Sequence, residues 1–139
     1  MKKAVFVLFL LVVLLLAFVF MPAEWRLWND KAEPLPAIKN EEIVFIEAFI
    51  YDKNKCRIIG DDLDKVVEYL SNAEPTRIPS ETDFVYSENY RGINIKTEDK
   101  SYHYFVYKDG RKTYLEIPYV GVYRVDAELF ELLDDYLNR

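Results

Sequence analysis

Ala4 to Met21 is an unbroken apolar run, AVFVLFLLVVLLLAFVFM, directly behind Lys2 and Lys3. Wound as a helix, its 18 residues reach about 27 Å at 1.5 Å each, against a hydrocarbon core of ~30 Å. No polar stripe interrupts the run, so it does not read as a buried core helix. The two lysines are expected to stay in the cytoplasm and the chain behind the run to face outward. Residues 1–23 therefore read as a signal anchor, or as a signal peptide cleaved after Ala23. A cleavable leader has a shorter apolar region, roughly 7–15 residues, and small residues before the cut. Here bulky Met21 would occupy the third position before it, which favours the uncleaved anchor. The expectation is a single-pass protein of the cell membrane, held by residues 4–21 with its domain extracytoplasmic; secretion after cleavage is the alternative.

Residues 24–40 read as an interfacial segment and a linker. Trp25 and Trp28, set beside Glu24 and Arg26, suit a membrane–water interface, or else one of them packs on the domain. Pro34 and Pro36 make Ala32–Asn40 an extended, stiff spacer. Residues 41–139 then form one domain, long enough for a single modest core. All eleven Tyr lie beyond position 50, so that core is built with rings that tolerate half-burial.

Past Lys2 and Lys3 the chain carries 16 basic and 24 acidic residues, a net charge of −8. Nucleic acid is not an expected partner, since phosphate neutralisation needs clustered Lys and Arg. Four Gly, one Cys and one His leave no glycine-rich phosphate cradle, no internal disulfide and no multi-histidine or thiolate metal centre. No cofactor is implied.

The spacing predicts an α+β domain: a mainly antiparallel sheet of four to six strands, a helix after the first hairpin and a C-terminal helix, preceded by the transmembrane helix. Glu42–Ile50 is apolar on nearly both faces and reads as a central strand. Asp52–Lys55 turns into a short strand, Cys56–Ile59. Gly60 and Asp61 open a helix whose apolar face is Leu63, Val66, Val67, Leu70 and Ala73, and Pro75 ends it. Thr76–Tyr90 is irregular. Strands return from Arg91, and Asp109-Gly110 between Tyr102–Tyr107 and Lys112–Ile117 signals a hairpin. With that pair as the turn, Tyr107 lies opposite Lys112, Phe105 opposite Tyr114 and His103 opposite Glu116. Tyr102, Tyr104, Val106, Leu115 and Ile117 then face the core. After Pro118, Tyr119–Val125 is a last strand or strand-like segment, and Asp126 caps a helix carrying Leu129, Phe130, Leu133, Tyr136 and Leu137.

Three stretches, Asn72-Ala73-Glu74-Pro75-Thr76-Arg77-Ile78-Pro79-Ser80, Glu88-Asn89-Tyr90 and Ile117-Pro118-Tyr119-Val120-Gly121-Val122-Tyr123, resemble a family of exported or membrane-anchored domains of unknown function from Gram-positive bacteria. The resemblance covers residues 41–137, and Pro-Tyr-x-Gly-x-Tyr is its most distinctive part. It implies a leader followed by one domain of this size and brings no activity or site with it. No Cys follows the apolar run, so lipoprotein processing is not expected.

No catalytic constellation is expected. His103 and Glu116 pair across the hairpin without a nucleophile beside them. Asp61, Asp62 and Asp64 sit where acids meet a helix N-terminus, although clustered carboxylates also suit hard cations. Cys56 reads as a small buried hydrophobe rather than a reactive thiol. Glu47 needs a basic partner such as Arg91 or Arg124. The candidate binding surface is the outward stripe Phe105, Tyr107 and Tyr114, with Tyr119 and Tyr123 near it and Lys108, Arg111 and Lys112 flanking, suited to a peptide, a glycan or a partner protein. The expected function is a membrane-tethered binding or sensing module that works beside an envelope protein. A cell-surface inhibitor or immunity protein is the alternative, and an envelope hydrolase a distant third.

Overall fold

The computed structural model describes residues 2–21, 30–38, 42–50, 54–80 and 90–139. Readings placed on Ala23, Trp25, Trp28, Asp52 and Glu88-Asn89 lie outside these residues. Within them, helix α1 covers Lys2–Val19. Strands β1 (Ile43–Ile50) and β2 (Asn54–Ile58) precede helix α2 (Asp61–Ser71). Then come β3 (Glu74–Pro75), β4 (Arg91–Thr97), β5 (Ser101–Asp109), β6 (Lys112–Ile117), β7 (Gly121–Val125) and helix α3 (Ala127–Leu137).

Two expectations are corrected here. The sheet has seven strands, in the order β2-β1-β4-β5-β6-β7-β3, every pairing antiparallel. Among the described residues no helix is long and apolar enough to cross a membrane. Helix α1 stops at Val19, before the apolar run ends, and its 18 residues begin with Lys2 and Lys3. The apolar part is then about 24 Å long at 1.5 Å per residue, short of the ~30 Å hydrocarbon core. This overturns the transmembrane helix and the single-pass localisation.

One face of the sheet carries the core. Register places Ile46 and Ala48 of β1 beside Ile95 and Ile93 of β4, and Ile93 beside Tyr104 of β5. Val106 lies opposite Leu115, and Leu115 opposite Tyr123. The helices close this face with Val66 and Leu70 from α2 and Leu129, Leu133, Tyr136 and Leu137 from α3, all buried. Asp126 caps α3 as its composition demands, accepting from the Glu128 N–H at 3.0 Å. The spacer is not detached. Ala32, Leu35 and Ile38 pack against the core, and the Ala32 N–H donates to the Thr76 carbonyl at 3.0 Å.

The hairpin joining β5 and β6 turns one position later than the Asp-Gly signal suggests. Asp109 pairs with Lys112, and Tyr107 with Tyr114. Gly110, at φ 59°, takes the first central position, which type II′ geometry reserves for glycine. The slip changes partners without changing faces, because it moves the pairing by an even step.

Candidate binding surfaces

The outward face of the sheet is where side chains gather that the core does not explain. Directly paired positions line up Arg57 on β2, Glu47 on β1, Asn94 on β4 and His103 on β5. Four strands at ~4.8 Å spacing make this polar row about 14 Å long. The next row holds Lys55, Phe49, Gly92 and Phe105. A Cβ on Gly92 would sit 2.1 Å from the Phe49 ring, so Phe49 lies across bare backbone there. It meets Phe105 edge-on, with centroids 6.0 Å apart. On the other side of the polar row stand Phe45 and Lys96, with the Arg57 guanidinium 4.8 Å from the Phe45 ring centre. Among the described residues, Asn94 Oδ1 is buried without a hydrogen-bond partner. A buried acceptor left unmade costs about 1–3 kcal/mol, so its presence asks for an explanation.

The expected aromatic stripe divides. Phe105 borders the polar row, while Tyr107 stacks between Tyr90 (4.9 Å) and Tyr114 (5.6 Å). Tyr114 is buried, so that stack is internal packing. Tyr123 turns to the opposite face and is buried in the core. His103 does not face Glu116. It lies opposite Asn94, and Glu116 lies opposite Phe105. Glu47 meets neither of its expected partners: Arg91 pairs with Asp134 and Arg124 with Glu74.

Tyr119 stands apart. β7 begins at Gly121, so Tyr119 belongs to the turn between β6 and β7, where the Val120 N–H donates to the Ile117 carbonyl at 3.0 Å. Pro118 and Tyr119 are the central residues, and Tyr119 has φ 65°, the sole positive φ outside glycine among the described residues. Proline followed by a residue at positive φ is the type II pattern, whose second central position ordinarily calls for glycine or asparagine. A tyrosine there is strained by about 1–2 kcal/mol, yet its side chain is 74 % exposed, beside Val120 at 59 %. The turn is braced from behind. The Ser80 hydroxyl accepts from the Tyr119 N–H at 3.1 Å, and its own hydrogen points between Glu116 Oε1 (2.8 Å) and the Ile117 carbonyl (3.1 Å). At Gly121 the chain passes so close to Ala32 that a Cβ would lie 2.5 Å from the alanine methyl. The Pro-Tyr-x-Gly-x-Tyr stretch is thus a braced turn followed by a close crossing.

Residues 29–124 match the family titled DUF5301, described as a domain of unknown function (DUF5300). The chain belongs to the DUF5301 family. No curated protein and no solved structure matches it. The matched stretch of this DUF5301 chain takes in the packed segment 30–38, all seven strands but the last residue of β7, and the braced turn. It stops before α3.

The helix side of this DUF5301 domain is acidic and internally paired. Tyr69 of α2 donates to Glu128 of α3 at 2.8 Å, and Tyr136 of α3 donates to Asp62 of α2 at 3.0 Å. Asp62 also receives Lys65 at 2.8 Å. The lysine and then the tyrosine hold its carboxyl below the usual range. Gly60, with no side-chain cap, occupies the N-cap, so the aspartates of the first turn do not cap α2. Among the described residues no three His, Cys, Asp or Glu side chains are grouped to hold a metal. Donation to Glu128 pushes the Tyr69 phenol up to about 12, with burial adding to it. The folded state then keeps this proton where the unfolded chain, near 10, has lost it. Stability is expected to fall as pH rises from ~10 towards 12, and Tyr69→Phe to flatten part of that fall. Denaturation midpoints across the alkaline range measure both.

The polar row leaves one signal in the sequence. Glu47 interrupts an apolar strand, and Asn94 stands between Ile93 and Ile95. Their meeting depends on β1 and β4 being neighbours, which no short-range pattern announces.

Proposed function

We propose that this domain is a non-catalytic module that binds a partner protein through the β6–β7 turn, with Tyr119 as the anchor. The observation that carries the reading is the strained, exposed tyrosine at a position where glycine would be free of strain. Strain of this kind persists where surrounding structure over-determines it, and it concentrates at binding and switch sites. Tyrosine is also a favoured anchor at protein interfaces, being large, amphipathic and poor in rotamer entropy. The Ser80 brace and the Gly121–Ala32 crossing hold the backbone of the turn in place before any partner arrives, which lowers the chain entropy lost on binding. A non-catalytic role is supported by His103, whose neighbour is Asn94, and by Ser80, whose hydroxyl is engaged at Glu116.

Tyr119→Gly tests the reading through two opposed effects. Relief of the left-handed strain, less the added chain entropy, is expected to stabilise the fold by about 0.5–1 kcal/mol, raising the melting temperature by roughly 4 °C. The same change is expected to abolish capture of a specific partner when the full chain is crosslinked in its native cells, while Tyr119→Phe keeps it. Identical captured proteins from all three chains would overturn the proposal. An inhibitor is a second reading that the braced, protruding turn also favours. In that case the captured partner has an activity that the added chain suppresses.

A further inference from the structure

We propose that the outward face of β2-β1-β4-β5 is a binding site for a neutral saccharide, separate from the β6–β7 turn. The chemistry of the polar row selects the ligand class. Arg57 can only donate, Glu47 accepts when ionised, and Asn94 and His103 can each do both. A simple cation would meet Arg57 and a simple anion would meet Glu47, so neither suits the whole row. Hydroxyl groups donate and accept at once, and a chain of them can satisfy alternating partners. Asn94 Oδ1, buried at the centre of the row without a hydrogen-bond partner, gains one where its amide turns to meet such a donor.

The flanks support the same ligand. Phe49 and Phe105 on one side, and Phe45 under Arg57 on the other, give apolar walls on which the C–H face of a sugar ring can lie. A few convergent polar groups between apolar walls is the usual construction of a small-molecule site. The length of the row, about 14 Å, suits a short oligosaccharide better than a single ring. An extended peptide is disfavoured, because peptides that join sheets pair with the backbone of an edge strand. Here β1 and β4 have both backbone edges already paired, to β2 and β4 and to β1 and β5. A ligand on this face is read by side chains alone.

The test uses the full chain, labelled with nitrogen-15, and soluble tetrasaccharides of glucose, mannose and N-acetylglucosamine as probes. At least one is expected to give saturable shifts at the Asn94 side-chain amide and the His103 ring, with dissociation constants of about a millimolar or tighter. Asn94→Leu is expected to weaken that binding at least tenfold while leaving the melting temperature equal or higher, since it removes a buried acceptor without a partner. His103→Ala, at an exposed position, is expected to weaken binding without affecting folding. Tyr119→Gly is expected to leave it unchanged, so this site and the turn fail or succeed independently. Absence of saturable shifts with every probe overturns the proposal, as does binding that survives Asn94→Leu undiminished.

Discussion

A chain ending at Asp126 is expected not to fold. Helix α3 lies beyond the family match, yet it closes the core with Leu129 and Leu133 at 0 % exposure, Leu137 at 6 % and Tyr136 at 7 %. Burial of such side chains contributes about 1.5–3 kcal/mol each, or about 6–12 kcal/mol together, against about 5–15 kcal/mol for the net stability of a whole domain. Truncation would also expose Ile46, Ala48, Ile93 and Val106, now fully buried, to water. The expected result is collapsed amide dispersion and no cooperative melting transition. A truncated chain that still melts cooperatively would show that α3 is an accessory to the core and not a part of it.

The second large effect is expected at Arg91. Its side chain, only 15 % exposed, places Nε 2.7 Å and a terminal nitrogen 2.5 Å from Asp134 Oδ1. It also lies 5.0 Å from the Phe130 ring centre, so one side chain ties β4 to two turns of α3. Lys108 reinforces the same helix through Glu131 and the Phe130 ring. Removing one partner of a half-buried pair leaves the other charge poorly solvated, a loss larger than any exposed pair would suffer. Arg91→Ala is expected to cost about 2–3 kcal/mol, read as a lower urea midpoint with an unchanged slope. Arg91→Lys is expected to recover little, because an ammonium lacks the planar fork. A full recovery by lysine would mean that charge alone, and not geometry, holds α3 to the sheet.

How far these features can be read in advance depends on the range of the interaction. The stripes of α2 and α3, the Asp126 cap and the inward face of the β5–β6 hairpin come from residues a few positions apart, and their periodicities state them directly. The hairpin partners do not, since a lone glycine at positive φ fits either central position of a two-residue turn. That one-position ambiguity separates His103 from Glu116, which pairs with Phe105 instead; its neighbour Asn94 comes from β4, on the other side of β5. Tyr123 reads as near the outward stripe while its partner strand is unspecified; pairing with Leu115 turns it inward. Tyr119 reads as strand because proline followed by tyrosine lacks the turn signal that proline followed by glycine carries. The prolines at 34 and 36 suggested a spacer and concealed the three apolar side chains, Ala32, Leu35 and Ile38, that dock on the core. The leader misled by a different route. Its composition allowed a span, but the helix ends two residues before the apolar run does.

The two-residue strand β3 has a consequence for how these molecules behave in a crowd. A seven-stranded antiparallel sheet ends in two rows of backbone groups, each an invitation for another copy to add itself in register. At one end the row is cut to Glu74 and Pro75, and proline has no N–H to offer. At the other, β2 turns Lys55 and Arg57 outward, and two copies meeting there would bring like charges together. The fold therefore closes its own margins against fibril-like growth, and the domain can keep an exposed aromatic turn without that turn becoming the start of an aggregate.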